Sequence, residues 1–552
     1  KNQRISYAVP AFKRGRACWV KYGYNVSETQ LEKPDFKGIW FDSDRVYDTK
    51  RSPVRFSLGC EFKGAANPQP DMWSRENQFA AFSARVGSNE GNINIDDDVL
   101  YRFSEFVSSW IKVHVEPISV NEDASFESWL EGTLYSRKKK IQLAKLRKLC
   151  DDGLRSFDYR TTVVKCFIKN ESYPKYKYPR AILARSDEFK VLVGPVFKLI
   201  ENHIFNLKTD YNSSYFIKKV PVPNRARAIL DVIGTSVGHN DPGTVDQFLR
   251  RYVVTDYTSF ESSFTKDIIN NCEMKLYEHC VSCLPEGKAF MGYLETIVGQ
   301  NRCFFSNINF SILARRMSGE MNTSLGNGFS NLMLTLFVMF EIGARDVRLF
   351  VEGDDCILTY VGPMFQPSLV LKLGFKIKFV FLRSPNLASF CGQIFDLTHL
   401  VIVCDPLKII LNFAWVNMKY VKSAHRIKMG LVRSRALSLI YQYSGCPIVQ
   451  CFAWRMLELT ERYEVYFDET VDGYHRQLYT DALKHIPQFR PIQFTSREII
   501  EDVFNITVDH QIIIEAYFSS YKFGPIDLYI LRNYCTYDQL HYYDNYIGPY
   551  NA

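Results

Sequence analysis

Residues 345–361, RDVRLFVEGDDCILTYV, are two apolar alternations joined by a turn that holds Glu352, Asp354 and Asp355 within four positions. Alternation of this kind marks strands with one buried face, so the stretch reads as a hairpin set against a core. A tight turn does not require carboxylates, since Asn-Gly or Asp-Gly alone serves a hairpin. Two carboxylates about 4 Å apart repel by roughly 4 kcal/mol at an effective dielectric near 20. Adjacent aspartates at the tip therefore cost stability unless a cation offsets them.

A further acid has the same setting. In RYVVTDYTSFESSF, 251–264, a short apolar strand runs into Asp256. If this strand neighbours the hairpin in one sheet, Asp256, Asp354 and Asp355 converge at one edge. Such hard oxygen donors suit Mg²⁺, with Mn²⁺ as a substitute, because Mg²⁺ takes a few carboxylates and completes its shell with phosphate. Two ions held there can activate an attacking hydroxyl and stabilise a leaving pyrophosphate. Three unrelated surface acids would not each follow a β-rich apolar run.

The rest of the chain sets bounds. With 552 residues, 46% of them hydrophobic, it can bury a large core and more than one subdomain. A net charge of +8 is compatible with a polyanionic partner without requiring one. No apolar run nears the roughly 20 residues of a spanning helix; the longest is LMLTLFVMF, 332–340. There is no internal repeat, which excludes a solenoid. The 14 cysteines are scattered and read as reduced thiols. Cys272, His279, Cys280 and Cys283 have a spacing that can offer zinc ligands, yet on a helix Cys272, Leu276, Cys280 and Cys283 also form one apolar stripe. The N-terminus KNQRISYAVP is neither a signal nor a transit peptide. Lacking an initiating Met, it points to a processed product, a trimmed chain or the downstream part of a longer polypeptide.

Residues 1–125 are rich in loop signals such as KGAANPQPDM and GSNEGNINIDDD. Helical periodicity begins at FESWLEGTLYSRKKKIQLAKLRKLCDD, 126–152, where seven of the thirteen residues of 136–148 are basic and none is acidic. That run is either a solvated helix face or a nucleic-acid contact. YRTTVVKCFIK, 159–169, reads as a strand, and NCEMKLYEHCVSC as a helix. ARRMSGEMNTSLGNGFSNLMLTLFVMF, 314–340, is a Gly-hinged loop entering a long apolar helix. Beyond about 405 the pattern is mostly helical.

These residues resemble the viral RNA-dependent RNA polymerases of plus-strand viruses, most closely the tombusvirus-like and flavivirus-like groups. TDYTSFE, SGEMNTSLGN and EGDD look like motifs A, B and C; FIKNE…YPRAILARS, LGFKIKF and ASFCGQ look like F, D and E. The likeness covers roughly 130–395, with six motifs in the family's order. It implies an α+β right hand: an N-terminal extension with fingertips over 1–125, fingers over 126–250, palm over 251–270, a fingers insertion over 271–313, palm again over 314–404, and thumb with C-terminal tail over 405–552.

The resemblance also implies roles. Asp256 and Asp354 would be the principal ligands of two Mg²⁺ ions, with Asp355 assisting. Ser318 and Gly319 would form a flexible loop where template backbone approaches closely. Thr323 and Asn327, four apart on one helix face, would reach the incoming ribose. Lys165, Lys169, Arg180 and Arg185 would lie over the triphosphate. Glu261 stands where the family usually has Asp, so ribose sensing with Asn327 would use a side chain one methylene longer. Of Lys376 and Lys378, the latter is the expected proton donor to pyrophosphate. Partners would be template and nascent RNA, ribonucleoside triphosphates and other viral replication proteins, in host cytoplasm at membrane-associated complexes reached through those partners. A reverse transcriptase would share the paired aspartates, but Gly353 and the Ser-Gly…Thr…Asn series stand against it. A degenerate polymerase acting as an RNA-binding scaffold would have lost one of the three aspartates. The tail 517–552 holds nine tyrosines in 36 residues, which either pack the thumb or offer a stacking face to the first nucleotide.

Overall fold

The computed structural model describes residues 93–527 except 155–156, 158–161, 170, 172–178, 235–248, 307, 383–384 and 472. Before residue 93 it describes 15–21, 24–31, 39–41, 55–62, 69–70, 72, 75–82 and 86. The fold mixes helix and sheet.

Four antiparallel strands form the sheet that matters most: β1 (Arg250–Tyr257), β2 (Arg345–Glu352), β3 (Asp355–Val361) and β4 (Ile377–Phe381), in the order β2-β3-β1-β4. The expected hairpin is β2–β3, closed by the Glu352–Asp355 pair. Gly353 sits at φ 60°, a left-handed conformation that glycine adopts without a Cβ penalty and that a two-residue hairpin turn requires. Nothing in that turn calls for aspartate at 354 or 355.

One face of the sheet lies on a central helix, α3 (Thr323–Glu341), whose residues from Leu325 to Met339 are almost all buried. Such an all-round apolar helix has to be enclosed. It is: Leu349, Val351 and Leu358 of the sheet pack from one side, with Phe103 and Trp110 and the helix α2 (Asp187–Phe205) from others. α2 starts at Ser186, whose hydroxyl accepts from Phe189 N at 3.2 Å, and carries Asp187 and Glu188 in its first turn, where acids favour the helix dipole. Outside α2 lies α1 (Arg137–Asp151), capped by Ser136 and burying only Leu143.

Two other sheets frame this core. A five-stranded one orders Ile39–Phe41, Ile308–Leu313, Gln300–Phe304, Val164–Ile168 and Ala181–Arg185. Residues 389–403 form a small three-stranded sheet. From Pro406 onward helices dominate, with a core of their own around Phe452, Met456, Ile500 and Phe518.

The N-terminal region departs from its loop-rich reading. Asp97–His114 is an 18-residue helix, capped by Asp96, and Phe103 meets Phe337 of α3 at 5.4 Å between ring centroids. Arg55–Ser57 pairs with Trp415–Asn417, so the early chain also completes the C-terminal core. The Tyr-rich tail beyond Asp527 and residues 172–178 lie outside the described residues.

Candidate active site

β1 and β3 bring the three aspartates to one end of the sheet. Thr255 pairs with Cys356, leaving Asp256 and Asp355 as the next residue on each strand. On the other side of β1, Asp256 stands opposite Lys378 of β4. Burial pushes the Asp355 carboxyl up to about 7, and the charges of Asp354 and Asp256 push the same way; hydrogen bonds from the backbone and thiol of Cys391 oppose them. Glu352 is also raised by burial, against the pull of Lys218 and Arg225. Asp355 therefore senses both Asp354 and Asp256.

Among the described residues no group of three or more His, Cys, Asp or Glu side chains forms a ready-made cage for a metal. The donors nevertheless fit a hard divalent cation. Mg²⁺ usually binds through one or two carboxylates and keeps sites for water and phosphate, and a carboxyl raised by burial and by neighbouring anions is one a cation would deprotonate.

The tip has a brace that sequence reasoning missed. The Asn331 amide, fully buried on α3, donates to the carbonyl of Gly353 at 3.1 Å and to that of Asp355 at 3.0 Å. Thr335 Oγ1, one turn on, donates to Asn331 Oδ1 at 3.3 Å. The bonds to the two carbonyls flank Asp354 and fix the backbone that carries it. A polar residue inside the run FSNLMLTLF was the signal available for it.

The loop before α3 is occupied by the protein itself. Gly319 N donates to Leu183 O at 2.9 Å, Leu183 N donates to Ser318 Oγ at 3.2 Å, and Ser318 Oγ donates to Ala181 O at 3.1 Å. A Cβ on Gly319 would sit 3.0 Å from Leu183 O and from Ile182 Cγ2. The close approach expected of template backbone is thus made by the 181–185 strand. Thr323, expected at the ribose, spends its hydroxyl on Met317 O at 2.8 Å and Glu320 O at 3.0 Å. Asn327 differs: it is 8% exposed, and its Oδ1 has no hydrogen-bond partner among the described residues. Glu261 lies in the short turn Phe260–Ser263 directly after β1.

The four expected triphosphate cations lie on or beside one strand pair, but three reach solvent and one is buried. Lys165 is exposed on Val164–Ile168, while Lys169 at 3.2 Å and Arg180 at 3.8 Å both face Glu171. Arg185 is 2% exposed and pairs with the equally enclosed carboxylate of Glu320; it also bonds Asn301 Oδ1 and, at 3.1 Å, Thr162 O. Strand alternation turns it inward, so it cannot meet a phosphate in solution. Next to it Arg316 pairs with Glu273, whose carboxylate accepts from Tyr277 at 2.8 Å. Burial raises the Glu320 carboxyl although Arg185 and Arg316 draw it down.

The cysteine cluster is dispersed. Cys272 and Cys280 are core residues, Cys272 Sγ lies 3.7 Å from Ser330 Oγ, and His279 Nε2 lies 2.6 Å from the Val115 carbonyl. Cys283 is exposed, off the expected stripe, because the helix ends at Val281. All twelve cysteines with described side chains are free thiols. Among the described residues no helix is long and apolar enough to cross a membrane.

A mixed fold crowds acids at the end of an antiparallel sheet, beside a lysine-bearing edge strand, and so offers a set of hard oxygen donors. Residues 96–368 match the family described as viral RNA dependent RNA polymerase, and the chain belongs to that family through this segment. It is 32% identical over 321 residues to replicase polyprotein 1ab of Beet yellows virus (isolate Ukraine), covering 54% of this chain and 9% of that one. It is 25% identical over 203 residues to the RNA-directed RNA polymerase of Turnip crinkle virus, covering 36% and 24%. For the RNA-directed RNA polymerase of Oat chlorotic stunt virus (isolate United Kingdom) the figures are 23% over 268 residues, 46% and 33%. The chain spans at most a third of the length of these relatives.

Proposed function

We propose that this chain copies an RNA template into RNA, joining ribonucleoside triphosphates by two-metal nucleotidyl transfer during replication and transcription of a plus-strand viral genome. The observation that carries the reading is the Asp256–Asp354–Asp355 cluster, with Asp355 raised to about 7 by burial and by the other two. Divalent cations held there, Mg²⁺ or Mn²⁺, would supply activation of the 3′-hydroxyl and neutralisation of the leaving pyrophosphate.

The chain's own residues do the rest. Asp256 and Asp354 would hold the cations with Asp355 assisting, and Asn331 keeps the tip in place through its bonds to Gly353 and Asp355. Lys165, Lys169 and Arg180 receive the triphosphate. Lys378, exposed and across from Asp256, hands a proton to pyrophosphate. The unpartnered Asn327 Oδ1 accepts from the ribose 2′-hydroxyl, with Glu261 close in sequence to Asp256. Phe260 is buried among Tyr257, Phe264 and Phe375, so no ring from this turn is free to exclude that hydroxyl as a reverse transcriptase would. In this reading β1–β4 and α3 are the palm, the segments before 250 and from 271 to 313 the fingers, and the helices after 405 the thumb. The work takes place in host cytoplasm with other replication proteins.

Purified chain with primed template RNA, Mg²⁺ and either rNTPs or dNTPs tests it. Product from rNTPs alone is expected; product from dNTPs, or from neither, overturns the reading.

A further inference from the structure

Helix α1 carries a charge pattern that the fold does not use. It lies on α2 through Leu143, through Lys139, which pairs with Asp187, and through Arg147, whose Nη1 donates to Val191 O at 3.2 Å. Arg147 also bonds Asp151, and Lys140 donates to Glu131 O at 2.8 Å. Four cations remain: Arg137, Lys138, Lys145 and Lys148, all exposed and none in an ion pair among the described residues.

At 3.6 residues per turn these four and Ile141 fall within about 100° of arc, on the side opposite Leu143, over a length of about 16 Å. No acid lies within the arc; the first along it is Asp152, at the C-cap. A surface helix gains from alternating signs, and like charges three or four apart cost it a few tenths of a kcal/mol each. This arc forgoes that gain. What it suits is an external row of negative charge.

We propose that the outer face of α1 is a second RNA-binding surface, which holds sugar–phosphate backbone irrespective of sequence. The choice of RNA rests on the polymerase reading. The arc faces away from α2, and α2 separates it from the core that carries the aspartates, so the strand it holds flanks the reacting nucleotide. An anionic membrane is disfavoured by composition: Ile141, 60% exposed, is the one apolar side chain on the arc, and an interfacial helix needs an apolar face.

The test is equilibrium binding of the full chain to a fluorescent single-stranded RNA 30-mer of mixed sequence, from 50 to 200 mM salt. The comparison is the fourfold variant Arg137→Gln, Lys138→Gln, Lys145→Gln, Lys148→Gln, with melting temperature as the folding control. Four lost phosphate contacts should flatten the log–log salt slope by about 2.8. Over that range the wild type should therefore lose about 50-fold more affinity than the variant. Equal affinities and slopes in a folded variant overturn the proposal. So does loss of binding to vesicles of 30% phosphatidylserine while RNA binding stays unchanged, which would assign the face to a membrane. Incorporation of rNTPs by the wild type tests the polymerase reading separately, so either can fail alone.

Discussion

Asn331 and Asp355 are joined by a hydrogen bond of 3.0 Å from a fully buried side-chain amide to a backbone carbonyl, and the same amide reaches Gly353 at 3.1 Å. The helix that presents Asn327 thereby sets the position of the acidic turn. Replacing Asn331 by Leu keeps volume but strips both carbonyls of their donor. An orphaned buried group costs about 1–3 kcal/mol and these carbonyls are partly buried, so the melting temperature should fall. If the bonds position Asp354, kcat falls at least tenfold while KM for rNTPs stays level; a purely structural residue would lower stability and leave kcat per folded molecule untouched.

Asp354→Asn removes charge and preserves shape. Incorporation in Mg²⁺ should drop by about 100-fold or more, the scale of losing one electrostatic stabiliser in a dry site. Melting in metal-free buffer should stay level or rise, because the repulsion is relieved. Near-normal incorporation would remove Asp354 from the site.

Asp355 gives a pH signature. Its carboxyl titrates at about 7 in the folded chain and near 3.9 when unfolded. Between those values the folded state binds more protons, so in metal-free buffer this group makes stability fall as pH rises from about 4 to about 7. Asp355→Asn should flatten that slope. At pH 7 Mg²⁺ binding should release about half a proton from wild type and less from the variant, read in a weakly buffered titration.

Glu320 is paired with Arg185 where neither side chain meets solvent. Removing one member of a buried pair costs about 3–5 kcal/mol, so Glu320→Ala should lower the denaturation midpoint sharply. Glu171→Ala, which removes a carboxylate facing the half-exposed Lys169 and Arg180, should change stability by no more than about 0.5 kcal/mol. Equal effects would mean the Arg185–Glu320 pair is not the structural one.

The parts legible in sequence were those written in short-range periodicity. β2 and β3 announce themselves as apolar runs, although β3 is buried along its whole middle instead of on alternate residues, because both faces of the sheet are covered. Asp256, Asp354 and Asp355 stand where apolar runs stop. The burial of Arg185 is not legible, because its partner Glu320 lies 135 residues away and spacing carries no information about that. Gly319 was recognised as a site of close approach, but the approaching backbone is a strand from another part of the chain. The helix Asp97–His114 has a clear cap and an apolar stripe; the Gly/Asn-rich GSNEGNINIDDD before it masked the change of pattern.

Among the described residues Arg55–Ser57 finds its strand partner in Trp415–Asn417. A ribosome moving at about 5–20 residues per second needs roughly 20–70 s to make the intervening 360 or so residues. Throughout that interval the early segment has backbone donors with no mate and apolar side chains with no shelter. The newborn chain therefore has a window, set by translation speed rather than by its own folding rate, in which chaperones and neighbouring nascent chains compete for a surface that the finished molecule partly covers.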